Sequence, residues 1–143
     1  MTEKELRYHW LYMDLAIRMS QMSHCVRKKV GAVIVKNDNI ISYGWNGMPA
    51  GYDNVCELDP DTTNPLVLHA EKNALKKLIR STESSVGATM YVTMCTCQHC
   101  AIDVVDAHLA RVFYLESYRT SGGLETLEKA GIEAYCLSAY KGN

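Results

Sequence analysis

Two short segments of this chain are built to meet: His69-Ala70-Glu71 and, 26 residues after the glutamate, Cys97-Gln98-His99-Cys100. Together they hold three soft zinc ligands and one carboxylate that coordination does not need. A structural zinc is closed by four Cys or His ligands, whereas a catalytic one leaves a position for water. If Cys97 and Cys100 open a helix, their i, i+3 spacing puts both sulfurs on one face, where the unpaired N–H groups and the positive dipole end favour thiolates. Two thiolates and neutral His69 then balance Zn²⁺. Such a site acidifies a bound water from about 16 toward roughly 7 to 9. His69 and Glu71 are two residues apart, about 200° around a continuing helix, so they share a site only at a helix start. There Glu71 can lean over the metal and act as a proton shuttle. The competing readings are a redox Cys-x-x-Cys, which leaves His-x-Glu unexplained, and a closed zinc module completed by Cys95, His99, His108 or Cys56.

The chain has 143 residues, and one domain over residues 1–143 is the expectation. Its formal net charge of −1 gives no pull toward a polyanion, which argues for a small substrate over a nucleic acid. Six cysteines with neither a secretory leader nor an apolar run of membrane length point to a reducing, cytoplasmic compartment and no membrane partner.

Thr2 and Glu5 read as a capping box, after which Leu6, Trp10, Met13 and Ile17 recur at helical spacing to about Ser20. Val30 to Val35 and Ile40 to Trp45 form a hairpin across Lys36-Asn37-Asp38-Asn39. Asn46 to Pro65 reads as one long functional loop. A helix follows over His69 to Arg80, with Lys72, Lys76 and Lys77 solvated. A strand at Ala88 to Thr93, a helix from Cys97 to about Ala110 and a strand at Arg111 to Leu115 come next. The chain ends with a helix from Leu124 stopped at Gly131 and a strand at Ile132 to Leu137. The later crossovers predict parallel neighbours with helices on both faces, and both metal-binding helices begin near one sheet edge.

The match extends beyond the ligands. Val30-Gly31-Ala32-Val33-Ile34-Val35, Gly44-Trp45-Asn46-Gly47-Met48-Pro49, His69-Ala70-Glu71-Lys72-Asn73-Ala74, Tyr91-Val92-Thr93 and Lys129-Ala130-Gly131-Ile132 resemble the deoxycytidylate (dCMP) deaminases of the zinc-dependent deaminase superfamily over nearly the whole chain. The resemblance implies an α/β, three-layer α-β-α cytidine-deaminase-like fold with a five-stranded mixed sheet. It implies hydrolytic conversion of dCMP to dUMP and ammonia, feeding thymidylate synthesis. One zinc per chain would sit on His69, Cys97 and Cys100, with Glu71 as the catalytic proton shuttle. It places nucleotide contacts at Ser23, Arg27, Asn46 (to the sugar), Ala70, Tyr118 and Arg119. Homohexamers activated by dCTP and inhibited by dTTP are common among such relatives. A 5′-phosphate also wants the Arg and hydroxyl donors that Arg27, Lys28 and Ser23 offer, although Arg27 to Lys29 could equally be a solvated turn.

Two departures stand out. Thr96 replaces the usual Pro before the first metal Cys, losing a fixed backbone angle but offering an N-cap. Cys25 and Cys56 match two ligands of an extra structural zinc in some phage-type relatives, yet Asp59 to Leu68 contains no His. The rival activities are tRNA adenosine deamination, which should show a basic face, and deamination of free cytidine or guanine, which would not need Arg27.

Overall fold

Helix α1 (Glu3–Ser20) starts where the capping box places it: Thr2 Oγ1 accepts from Glu5 N at 3.0 Å, and Thr2 N donates to Glu5 Oε2 at 2.9 Å. The computed structural model describes residues 1–117 and 122–140. The next strands are β1 (Gly31–Lys36) and β2 (Asn39–Trp45), then β3 (Glu57–Asp59) and β4 (Thr62–Thr63). Helix α2 (Ala70–Leu78), β5 (Thr89–Met94), α3 (Gln98–Asp106), β6 (Arg111–Glu116), α4 (Gly122–Lys129) and β7 (Glu133–Cys136) follow, and a short 3₁₀ turn (Leu137–Ala139) closes the order.

The main sheet runs β2-β1-β5-β6-β7. The β2–β1 and β1–β5 pairs are antiparallel, and β5–β6 and β6–β7 are parallel. Because strand side chains alternate, the two faces can be read directly. Ala32, Ile34, Met90, Val92, Val112 and Tyr114 pack beneath α2, α3 and α4, while Val33, Val35, Tyr91 and Phe113 pack beneath α1 and Leu137. β1 is buried on both faces as its apolar run requires.

Two glycines let the helices that start after His69 and Cys97 sit close. A Cβ on Gly44 of β2 would stand 2.7 Å from Ala74 N and 2.8 Å from Ala70 O. One on Gly123 of α4 would collide with the carbonyl of Thr96. Ser42 Oγ donates to Ala74 O at 2.6 Å and Asn73 Nδ2 to Trp45 O at 2.8 Å, pinning α2 across β2.

Three expectations are corrected here. The Asn46 to Pro65 stretch is not one loop, since β3 and β4 form a small hairpin turning at Asp59-Pro60-Asp61. Lys77 is half-buried rather than solvated: its Nζ donates to Tyr43 O at 2.8 Å and lies 4.3 Å above the Tyr43 ring. Cys25 and Cys56 are joined in a disulfide, so their sulfurs are not a thiolate pair awaiting a metal, and cysteine usage no longer reads uniformly as reduced.

Candidate active site

His69 and Cys97 are the residues that cap α2 and α3, both in extended conformation, so each helix starts one position later than expected. β5 leads into α3, while the Gly47–Leu68 bridge, just past the end of β2, brings the chain to the start of α2, and each cap turns its side chain toward the other. His69 Nδ1 lies 3.2 Å from Cys100 Sγ and 3.5 Å from Cys97 Sγ. Ligand atoms on a tetrahedral zinc with bonds of about 2.0–2.3 Å stand about 3.3–3.8 Å apart, so the trio is spaced for one such ion. Among the described residues this cluster is His69, Cys97 and Cys100 only. The alternative fourth ligands Cys95, His99 and His108 do not join it, and Cys56 is committed to Cys25.

Electrostatics agree with the donor chemistry. A hydrogen bond from Cys100, reinforced by His69, holds the Cys97 thiol far below the ordinary cysteine range, and Cys100 is pushed up in its role as S–H donor. His69 is raised, first by its hydrogen bond to Cys97.

Glu71, in the first turn of α2, is 4% exposed. Burial pushes its carboxyl up to about 7, against the pull of its backbone hydrogen bond and of His69. Such a group can hold or release a proton near neutrality, as a general acid–base requires. It lies outside the ligand trio but lines the same cavity, of about 400 Å³, with His69, Cys97 and Ala70.

The other expected positions divide. Arg27 and Asn46 line the cavity, Arg27 exposed and Asn46 buried. The Asn46 amide braces the backbone: Oδ1 accepts from Val30 N at 2.9 Å, and Nδ2 donates to Lys28 O at 2.8 Å. Ala70 is buried and presents the first helical turn to the cavity. Ser23 is buried outside the lining residues; its hydroxyl donates to Asn46 O at 2.8 Å and accepts from Cys25 N at 3.2 Å, so it shapes the loop. Tyr118 and Arg119 lie outside the described residues. Thr96 is not the N-cap, because the cap falls on Cys97. It is fully buried, and its hydroxyl faces the Glu71 carboxyl, whose upward shift it partly offsets.

Sequence reasoning missed Glu57 and Thr63, which line the cavity from the β3–β4 hairpin. The turn signal at Asp59-Pro60-Asp61 could have found that hairpin. Strands of three and two residues carry no usable periodicity.

Comparison with known proteins agrees with the geometry. The family model described as the cytidine and deoxycytidylate deaminase zinc-binding region matches residues 7–116. The deoxycytidylate deaminase of Enterobacteria phage T4 is 32% identical, covering 86% of each chain. That of Saccharomyces cerevisiae is 34% identical over 85% of this chain and 42% of its own. The crystal structure of dCMP deaminase from the cyanophage S-TIM5, in complex with dCMP and dUMP, superimposes with a TM-score of 0.85 at 43% identity, covering 87% of this chain and 93% of that one. The chain therefore belongs to the cytidine and deoxycytidylate deaminase family and is a hydrolase of that family, with its five-stranded mixed sheet and flanking helices.

Proposed function

We propose that this protein hydrolyses dCMP to dUMP and ammonia, using one zinc ion per chain held by His69, Cys97 and Cys100, and supplies dUMP for thymidylate synthesis. The observation that carries the reading is the buried Glu71 carboxyl facing the same small cavity as a three-ligand cluster. Zinc bound there would supply the Lewis acidity that makes a water proton labile near neutral pH. Glu71 then takes that proton and delivers it to ring nitrogen N3 as the C4–O bond forms. It carries a second proton, from the oxygen added at C4, to the amine as the C4–N bond breaks and ammonia leaves, its burial keeping competing water away.

Nucleotide recognition falls to the rim. Arg27, with Lys28 beside it, faces the 5′-phosphate, and Asn46 meets the sugar from the backbone frame that its amide braces. The Ala70 backbone borders the base, and Ser23 supports Asn46 through its carbonyl. By resemblance, Tyr118 and Arg119 are assigned to nucleotide binding. Phage and yeast relatives bearing the deoxycytidylate deaminase name support this substrate over a tRNA base, as does a net charge of −1. Control by dCTP and dTTP, a homohexamer and a cytoplasmic location complete the proposal. They rest on resemblance, and for the compartment on the four cysteines outside the disulfide. No described helix is long and apolar enough to cross a membrane.

One assay tests it: loss of the cytosine absorbance band with dCMP, deoxycytidine and an RNA anticodon stem as substrates, beside zinc content per chain. We expect about one zinc per chain and rapid turnover of dCMP, with kcat/KM for deoxycytidine at least tenfold lower, roughly the value of a charge-assisted phosphate contact. Comparable kcat/KM for dCMP and deoxycytidine overturns the phosphate contact, and full activity in metal-free protein overturns the zinc mechanism.

A further inference from the structure

We propose that Glu57 is a positioning residue for substrate selection, holding Arg27 at the cavity mouth; this rests on the reading of Arg27 as the phosphate contact. The Glu57 carboxylate accepts two neighbouring backbone N–H groups. Val26 N lies 3.2 Å from both its oxygens, and Arg27 N lies 3.3 Å from Oε2. One anion thus fixes the turn from which the Arg27 side chain departs. The contact spans 30 residues, and it is kept in register by the covalent link one position earlier on each side, Cys25 to Cys56.

From that turn the guanidinium crosses the hairpin, and Nη1 donates to Thr63 Oγ1 at 3.2 Å. Glu57, Thr63 and Arg27 all line the cavity that also holds His69 and Glu71. Glu57 directs its acceptors to backbone groups and not to the guanidinium. Asp59, its carboxyl lowered first by the Asp61 backbone N–H, stands near enough for the Arg27 charge to help lower it. Among the described residues the ion pair formed within 4.0 Å joins Lys72 and Asp103, not Arg27. A guanidinium steered by a neutral hydroxyl and unpaired with a carboxylate keeps most of its donor fork for a phosphate dianion. If Glu57 instead paired directly with that head group, it would repel the substrate. The backbone contact is what makes an acid tolerable there.

Glu57→Ala, Glu57→Gln and Thr63→Val, each assayed on dCMP and on deoxycytidine, test the assignment, with the thermal midpoint followed in parallel. Glu57→Ala should raise KM for dCMP about tenfold, the scale of a lost charge-assisted contact, with kcat within about twofold. Deoxycytidine kinetics should stay level, so the preference for the phosphorylated substrate shrinks. Glu57→Gln, which keeps one acceptor oxygen for the same N–H groups, should recover most of that preference. A Glu57→Ala protein that keeps its full dCMP preference overturns the proposal, and so does one that loses both substrates in parallel. Should Glu57→Ala fail to fold, Thr63→Val decides: a raised KM confined to dCMP supports the assignment, and an unchanged one overturns it. A wild-type enzyme with no preference for dCMP overturns the reading of Arg27 itself, a separate result.

Discussion

Two buried titratable side chains sit on opposite faces of one sheet: Glu71 on the α2–α3 face and His9 on the inner side of α1. Both have pKa values displaced by burial, the carboxyl upward and the imidazole downward. By those shifts alone, either would qualify as an active-site residue. Their surroundings separate them. Glu71 opens into a cavity beside the His69, Cys97 and Cys100 cluster, whose ligand atoms are spaced to hold a metal ion. His9 is spent on its neighbours: Nδ1 meets Tyr91 Oη at 2.7 Å, and its ring stacks on Phe113 with centroids 4.2 Å apart. A perturbed pKa reports burial; what the group is aimed at reports function.

The largest effect expected from this contrast is at Glu71. Glu71→Gln preserves shape and removes the proton shuttle, so kcat for dCMP should fall about 10²- to 10⁴-fold, the usual range for a general acid–base. Zinc content should stay at wild-type level because Glu71 lies outside the ligand trio. Rapid dCMP turnover by a zinc-replete Glu71→Gln protein would place Glu71 in the same purely structural category as His9.

On the other face the loss should be of stability and not of chemistry. Tyr91→Phe deletes the hydroxyl that meets His9 and leaves a buried ring nitrogen without its partner, a cost of about 1–3 kcal/mol. Chemical denaturation should show that loss, while kcat and KM of the folded fraction stay unchanged. A selective drop in kcat would mean that the two faces are coupled through β5, whose Tyr91 and Val92 point to opposite sides.

How far these regions could be read from the chain follows from how local their determinants are. The His69, Cys97 and Cys100 cluster is compressed into two tetrapeptide-scale patterns at helix starts, and α1 announces itself through Thr2 and Glu5. The five-stranded sheet follows from apolar runs of adequate length. The errors cluster where meaning depends on distant partners. His9 and Tyr91 are 82 residues apart, and neither periodicity nor composition pairs them. Glu57 looks like any solvated acid until the backbone of Val26 and Arg27 is laid beside it. Cys25 and Cys56 read as two reduced thiols until the fold brings them together across 31 residues. Thr96 has the right chemistry for an N-cap, but the helix starts one residue on, with Cys97 at the cap, and packing against Gly123 buries the threonine.

The smallest effect sharpens the comparison most, because it assigns a sign. Burial is the leading cause that lowers His9 from 6.5; nearby Arg111 adds to it and Glu5 opposes it. The folded state therefore favours neutral imidazole, and between the lowered value and 6.5 the unfolded chain binds more protons. The contribution to stability is complete above pH 6.5 and is lost as pH falls through the folded-state value. Thermal midpoints should accordingly decline on acidification below 6.5. His9→Asn keeps a polar atom where Nδ1 stands, removes the titration and should flatten that decline. Equal slopes in wild type and His9→Asn would assign the acid sensitivity to other groups and strip His9 of its part in the contrast with Glu71.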